Sequence, residues 1–281
     1  MRVLIGVPAA VLLDVWEHGR EAWPGERALA LLEVAETGSS QEALADWTVG
    51  RRDAALLAFR ERLFGPTVSA LADCPRCGEL LEMEFPVSGL ASTLPREELA
   101  RRDGVFELEA DGHRIRYRLP TAGDLAELRR HDGAAVWLLE RCVVGVDPIA
   151  TVAASPSLGG SAGSEATECA TSTDREGRVR VRDIRPDARE ALEAAVARTA
   201  ADFDPQADIE LELTCPACAE EWRTPFDITA FLWRELESWA MRTLWETHLL
   251  ARAYGWSEAD ILALGSWRRQ HYIDLIADAA P

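Results

Sequence analysis

The sequence contains neither lysine nor asparagine, so all 30 of its basic residues are arginines. Acidic residues outnumber them at 48, which gives a formal net charge of −18. Proteins that bind nucleic acids or anionic membranes hold them largely through clustered cations, and this chain has no run of four or more basic residues. The composition therefore argues against nucleic-acid and membrane partners.

Long apolar runs are also missing, since no stretch approaches the roughly 18 consecutive apolar residues that a membrane-spanning helix requires. Residues 1–16 are apolar, but Pro8 and Asp14 interrupt them and no small-x-small cleavage site follows, so we expect no signal peptide. We therefore expect a cytoplasmic protein. In that compartment cysteines stay reduced, and paired CxxC motifs bind a metal more often than they form disulfides.

What is present is the composition of an ordinary globular protein, with 48% hydrophobic and 28% charged residues. At roughly 150 residues per domain, the length of 281 residues corresponds to one large or two modest domains. A chain of this size buries enough surface to form a core without the help of a metal or disulfides.

Helical spacing of apolar residues dominates residues 1–72, and no alternation typical of a strand is evident there. Gly65-Pro66 marks the end of the last helix in this region. Three helices are predicted here. The first covers residues 25–35, the second is capped by Ser39 or Ser40 and ends near Trp47, and the third covers residues 52–64.

Strand patterns begin after the first cysteine motif. Leu81, Met83 and Phe85 alternate with glutamates, which predicts a half-buried strand. Asp111-Gly112 is a two-residue turn signal and predicts a hairpin between residues 105–110 and 114–119. Two helices are then expected, at residues 121–130 and 134–144.

The C-terminal part has clear helix signals. Asp227 is an expected N-cap for a long helix that ends near Tyr254, and Ser257 with Asp260 forms a capping-box pattern. The other predicted elements are a helix at 186–201, strands at 209–213 and 221–224, and short helices at 257–264 and 267–277.

Residues 150–177 consist mainly of Ala, Ser, Thr and Gly and contain no aromatic residue. Such a composition offers too little apolar surface to offset the entropy of ordering, so we interpret this segment as a disordered insert. Its stretch Gly159-Gly160-Ser161-Ala162-Gly163 matches the G-x-S-x-G pattern of serine hydrolases. That motif works only as a strained strand-to-helix turn, and neither element flanks it here.

Two CPxC motifs, Cys74-Pro75-Arg76-Cys77 and Cys215-Pro216-Ala217-Cys218, are the most specific local signal. Each offers two thiolates on one tight turn, and two such turns complete a tetrahedral four-cysteine zinc site with Zn–S bonds of about 2.3 Å. Four thiolates leave no open position for water or substrate, so this zinc is structural and not catalytic. The predicted ligands of one zinc ion, in a split zinc ribbon, are Cys74, Cys77, Cys215 and Cys218.

The residues after the motifs test this interpretation. Gly78 suits the tight turn, whereas Ala219 in the equivalent position costs about 1 kcal/mol if its φ is positive. The chemical alternative is a thiol-disulfide oxidoreductase, which needs a cysteine at a helix N-terminus, but strand-like segments follow both motifs. Two separate incomplete sites, or no metal, are further alternatives. Cys142, in the apolar run 136–146, is predicted to be a core thiol.

Six of the ten tryptophans lie between Trp222 and Trp267. On the predicted long helix most apolar residues share one face, which we expect to be the core. Phe231, Trp245 and Leu249 project among charged side chains on the opposite face. Aromatic anchors on a polar face are typical of protein interfaces, so these three are candidate partner-binding residues, and packing beneath the terminal helices is the alternative.

Several segments together carry a resemblance to known proteins. Two of them precede the first CPxC motif, Gly50-Arg51-Arg52-Asp53-Ala54-Ala55-Leu56-Leu57 and Arg60-Glu61-Arg62-Leu63-Phe64-Gly65-Pro66. The others are the second CPxC motif, Phe231-Leu232-Trp233, Tyr254-Gly255-Trp256-Ser257-Glu258-Ala259-Asp260-Ile261-Leu262-Ala263-Leu264, Arg268-Arg269 and Tyr272. These segments resemble proteins encoded in phage-tail-like contractile injection clusters. The C-terminal part resembles the baseplate hub assembly chaperone family of contractile-tailed phages. The resemblance implies a non-enzymatic role, no catalytic residues, and baseplate, hub or spike proteins as partners.

Together these patterns predict an α+β protein, mainly helical, with a split four-cysteine zinc ribbon, a β-hairpin and a helical C-terminus. The expected function is that of a non-enzymatic assembly factor or minor component of the baseplate or hub of a contractile injection system, with one structural zinc. The alternatives are a zinc-ribbon protein–protein adaptor of unrelated regulatory function and a CxxC oxidoreductase. The expected divisions are an N-terminal helical region at 1–72, the first knuckle with the hairpin and helices at 73–149, the insert at 150–177, and the second knuckle with the C-terminal helices at 178–281.

Overall fold

The computed structural model of the protein describes residues 6–90, 104–110, 113–128, 134–148 and 186–278. These residues form an α+β fold that is mainly helical and ends in helices, which confirms the predicted class. The segment 150–177 and the turn Asp111-Gly112 lie outside the described residues. None of the helices in the described ranges combines the length and the apolar character needed to cross a bilayer.

Local capping signals place the N-terminal helices. The Ser40 hydroxyl accepts a hydrogen bond from the N–H of Ala43, and the Thr48 hydroxyl accepts one from the N–H of Arg51, so each caps a helix start. Because Thr48 is the cap, the last helix begins earlier than the sequence pattern predicts. The helices are α1 (Ala9–Gly19), α2 (Pro24–Ala35), α3 (Gln41–Ala45) and α4 (Val49–Phe64).

The strand β1 (Thr67–Asp73) follows α4 and pairs antiparallel with β2 (Leu80–Pro86). The prediction that residues 1–72 contain no strand is therefore wrong. Val68 is buried, but Leu71 is 64% exposed, so an apolar residue on the solvent face hides the alternation that a half-buried strand normally shows. The strand also crosses the division drawn after residue 72.

A second sheet has the antiparallel order β3 (Val105–Ala110), β4 (His113–Arg118) and β5 (Val143–Pro148). The strands of the predicted hairpin are confirmed. The helices α5 (Ala122–Glu127) and α6 (Ala134–Cys142) lie between β4 and β5 in the chain.

The predicted helix at 134–144 is too long, because the chain becomes a strand at Val143. Val146 is buried against Ile115, Tyr117 and Leu139, where a β-branched side chain packs well on a sheet. Cys142, at the helix end, is buried as predicted, and this burial raises the pKa of its thiol to about 11.

The C-terminal part agrees closely with its sequence signals. Asp227 accepts a hydrogen bond from the N–H of Ala230, and Gly255, with a φ of 70°, ends the long helix. The elements are α7 (Pro186–Phe203), the hairpin β6 (Glu210–Thr214) and β7 (Glu221–Pro225), α8 (Ile228–Tyr254), α9 (Glu258–Ala263) and α10 (Ser266–Asp278).

The largest hydrophobic cluster lies where α1, α2 and α4 pack against α8. The long helix contributes one apolar stripe to this cluster, as its 3.6-residue periodicity predicts. Burying these side chains is the main favourable contribution to folding in this region. The completely buried members include Leu12, Leu31, Leu56, Phe59, Leu232 and Leu236.

Buried arginines join elements that are distant in the chain. Arg60 of α4 binds both carboxylate oxygens of Glu235 on α8, at 2.8 and 2.6 Å, and donates to the carbonyls of Gly65 and Thr67. Arg269 of α10 donates to Glu246 of α8 at 3.0 Å, and both side chains are 3% exposed. These contacts fix the first hairpin and the last helix against α8.

We expect Arg269→Ala to lower the free energy of unfolding by about 3–5 kcal/mol, because it leaves the Glu246 carboxylate buried without its cation. The neighbouring exposed residue provides the control, and Arg268→Ala should change stability by less than about 0.5 kcal/mol. Thermal melting of the two variants makes the comparison. Equal melting temperatures would contradict a structural role for the buried pair.

Candidate metal centre

The first CPxC motif forms the turn of the hairpin β1–β2. The N–H of Cys74 donates to the carbonyl of Glu79, and the N–H of Gly78 donates to the carbonyl of Cys74, both at 2.9 Å. Gly78 has a φ of 74°, a conformation that glycine adopts without the clash a Cβ would cause. The two cysteines of the motif are thereby held on the same tight turn.

The second CPxC motif forms the turn of the hairpin β6–β7 and repeats this geometry. The N–H of Cys215 donates to Glu220 at 2.8 Å, and the N–H of Ala219 donates to Cys215 at 2.9 Å. Ala219 is the one non-glycine residue with a positive φ, 57°, in the described part of the chain. The expected strain at Ala219 is therefore present, because its Cβ crowds the following carbonyl in this conformation.

The two turns meet, and their four sulfur atoms lie within 4.8 Å of one another, as predicted for one shared site. Cys74 and Cys218 have a sulfur–sulfur distance of 3.6 Å, and so do Cys77 and Cys215. A disulfide requires a distance of about 2.05 Å, so these pairs are not disulfides. The four thiols form a cluster that can hold a metal ion.

Backbone hydrogen bonds lower the pKa of the cluster's thiols, whereas burial raises it, and the balance differs from one cysteine to another. Burial acts to raise the pKa of Cys74, but donation from the backbone N–H groups of Cys77 and Arg76 outweighs it and lowers the pKa to about 7. The N–H of Glu220 acts to lower the pKa of Cys218, but burial and the neighbouring thiols raise it to about 12. The cluster can thus ionise at one sulfur easily, whereas four adjacent thiolates require a bound cation.

An apolar cluster covers the buried side of the four-cysteine site, and Cys77 lies on its exposed side. Leu81 is buried against Cys74 and Cys215, and Met83 and Trp222 pack around them. Such apolar packing limits the access of water to a metal site. On the exposed side, the side chains of Arg76 and Glu220 approach to 3.4 Å and join the two turns.

The structure adds donors that the sequence interpretation missed. The N–H groups of Glu79 and Glu220 donate to the sulfurs of Cys77 and Cys218, respectively. Each donor stands two residues after its motif, and the sequence carries a signal for this, since both motifs extend to the same pattern, C-P-x-C-x-E. The shared spacing reflects the shared turn geometry.

The three candidate partner-binding residues have different environments. Phe231 is 8% exposed, and its ring lies 5.3 Å from that of Phe226, so it belongs to the core and not to the surface. Leu249 is half-buried in the cluster between α8 and the last two helices. Trp245 is 55% exposed, one helical turn after Met241, which is also exposed. Of the three, only Trp245 is well placed to anchor a partner.

Comparison of the chain with protein-family models, with curated proteins and with solved structures gives no match. Functional inference therefore depends on the residues themselves. The best-defined chemical feature among the described residues is the cluster of four cysteines from two hairpin turns.

We expect Ala219→Gly to be more favourable than Ala217→Gly by about 1 kcal/mol, because only the first substitution removes a side chain from a left-handed conformation. Both variants add the same glycine to the unfolded chain, so its entropy cancels in the comparison. Thermal melting measures the difference. Two variants of equal stability would show that Ala219 is not strained.

Proposed function

We propose that Cys74, Cys77, Cys215 and Cys218 bind one structural zinc ion. Tetrahedral coordination with Zn–S bonds of about 2.3 Å places the sulfurs about 3.8 Å apart, and the two measured pairs are separated by 3.6 Å. Sets of four cysteines on tight turns are typical of structural zinc sites. These two separations, together with the convergence of all four sulfurs within 4.8 Å, support zinc.

The role of this zinc is to join two hairpins that are 138 positions apart in the chain. Apparent binding free energies of structural zinc sites reach about 10–16 kcal/mol, which is as large as the whole stability of a typical domain, about 5–15 kcal/mol. The ion therefore contributes to folding itself. Its removal is expected to unfold the ribbon.

We expect elemental analysis of freshly purified, reduced protein to give one zinc per chain. The double variant Cys74→Ser, Cys215→Ser should lose the zinc and melt at a much lower temperature, because two ligands cannot retain the ion. Cys142→Ser removes a buried thiol outside the cluster and should keep one zinc. A zinc ratio near zero in the wild type, or an intact fold in the double variant, would refute the proposal.

We further propose that the protein is a non-enzymatic assembly factor or minor component of the baseplate or hub of a phage-tail-like contractile injection system. The sequence resemblance carries this proposal. Several C-terminal residues that carry the resemblance contact one another in the structure. Trp256 lies 4.7 Å from Tyr254 and 4.9 Å from Tyr272, measured between ring centroids. These rings form a compact aromatic cluster that connects the end of α8 to α10.

The exposed stripe of α8 supports a binding role. Met241 and Trp245 are more than half exposed, although large apolar side chains are costly to leave in water. Tryptophan is enriched among the residues that dominate binding energy at interfaces. In this role the zinc ribbon would stabilise the fold, and the outer stripe of α8 would contact a hub or spike protein.

We expect Trp245→Ala to weaken binding to a hub or spike protein from the same gene cluster by about 2 kcal/mol or more, with little change in melting temperature, because the side chain is 55% exposed. Phe231→Ala is the contrasting variant, and it should cost about 3–5 kcal/mol of stability because it opens a cavity in the core. Co-purification and thermal melting measure the two effects.

Two results would contradict the assembly role. One is a wild-type protein that binds no tube, hub or spike component. The other is a gene without sheath and tube genes beside it. Either result would favour the second candidate, a zinc-ribbon adaptor with a regulatory partner, which the exposed stripe and the cysteine cluster support equally well.

A further inference from the structure

The strand β1 has one free edge. It pairs only with β2 among the described strands. Two backbone bonds at its ends show which residues turn their polar groups toward β2. The N–H of Val87 donates to the carbonyl of Pro66, and the N–H of Cys74 donates to the carbonyl of Glu79. Backbone polar groups alternate in direction along an antiparallel strand. Ser69 and Leu71 therefore point their N–H and C=O groups away from β2.

Arg60 confirms this direction, since it reaches the same edge and donates to the carbonyl of Thr67 at 2.7 Å. The same guanidinium binds Glu235 of α8, so the free edge faces the long helix. Further along the strand, the N–H and C=O groups of Ser69 and Leu71 have no hydrogen-bond partner among the residues that the structure describes. Unpaired edges of this kind are templates for another strand.

A groove of about 1080 Å³ separates this edge from α8. It follows the helix from Phe231 to Glu246, which is about 22 Å at 1.5 Å per residue. That length matches six or seven residues of extended chain at about 3.3 Å each. The apolar part of the lining comes from the end of α4, the hairpin and the helix, and includes Leu63, Phe64, Ala70, Met83 and Trp239.

The helix side of the groove is positively charged. Arg234 and Arg242 are exposed on this side, and neither has a carboxylate partner among the described residues. The acids beside them on α8 are already paired, Glu235 with Arg60 and Glu246 with Arg269. An occupant of the groove therefore meets guanidinium groups that have no carboxylate partner among the described residues.

The opposite side of the groove is acidic. Glu82 and Glu84 of β2 lie behind the free edge of β1, and Glu84 accepts a hydrogen bond from the Ser69 hydroxyl. The groove thus has opposite charges on its two sides. This difference in charge determines which side of the groove the charged side chains of an occupant face.

We propose that this groove binds an extended peptide segment of a partner protein, which adds as a third strand to β1 at Ser69 and Leu71 and turns acidic side chains toward Arg234 and Arg242. Strand addition at a free edge gives affinity through main-chain hydrogen bonds, and neighbouring side chains give specificity. The inference does not depend on the baseplate role, because it rests on the edge, the groove and its charges. It assigns a second binding surface, separate from Trp245.

The first test pans a bead-displayed library of random dodecapeptides against the full-length protein. Enriched peptides should be rich in Asp and Glu and bind as extended chains. Leu71→Pro removes one outward N–H and leaves the bonds to β2 in place, which a free edge tolerates, so it should weaken an enriched peptide about tenfold or more. Leu71→Val keeps the N–H and an apolar side chain, and its affinity should stay within about twofold of the wild type.

The second test reverses one charge. Arg242→Glu should weaken the acidic peptides about tenfold or more and favour versions in which lysine replaces their acids. Arg252→Glu makes the same change on an exposed residue of α8 outside the groove and should leave binding unchanged. Melting temperature and zinc content show that each variant is folded.

Three results would overturn the proposal. The first is a library without enrichment over bare beads, or with enrichment of basic peptides. The second is a folded Leu71→Pro variant that binds the enriched peptides as tightly as the wild type. The third is an acidic preference that survives in Arg242→Glu.

Discussion

The fold depends on the meeting of two cysteine turns that are far apart in the chain. Each turn is built by the same pair of backbone hydrogen bonds and ends in a positive φ, at Gly78 or Ala219. Their four sulfurs converge within 4.8 Å, so the site closes a loop that contains the whole second sheet. Because loop-closure entropy rises only with the logarithm of loop length, closing a loop this long costs little more than closing a much shorter one.

The two hairpins connect the cysteine cluster to the helices. Phe226, directly after β7, lies 6.3 Å from Phe85 of the first hairpin and 5.3 Å from Phe231 of α8, measured between ring centroids. Asp227 then caps α8 directly. On the other hairpin, Arg60 ties β1 to Glu235 of the same helix. Both halves of the cysteine cluster are therefore anchored to α8, and moving either hairpin would disturb the core.

The helices, their caps and the two cysteine turns were predictable because the signals at Ser40, Asp227 and the CPxC motifs lie within a few residues of the elements they specify. The meeting of the two distant turns was predictable from coordination chemistry, because two cysteines alone do not complete a tetrahedral zinc site. Features that depend on distant neighbours were not predictable. Strand β1 was not predicted because the apolar residue Leu71 lies on its solvent face, and the apolar run around Val143 fits a helix as well as a strand. Periodicity placed Phe231 on the polar face of its helix, but it gives no information on the preceding hairpin that covers this residue.

The absence of lysine has a structural consequence. Every arginine side chain is a planar guanidinium with several donors, and Arg60 uses this to bind four acceptors on three residues. With a net charge of −18, the protein as a whole repels an acidic segment at long range. Salt screens such repulsion beyond about 8 Å, so the nearest charges decide where that segment binds. Exposed arginines without a carboxylate partner among the described residues also occur elsewhere, as at Arg252, so the proposed groove is distinguished by having two of them, Arg234 and Arg242, beside a free strand edge.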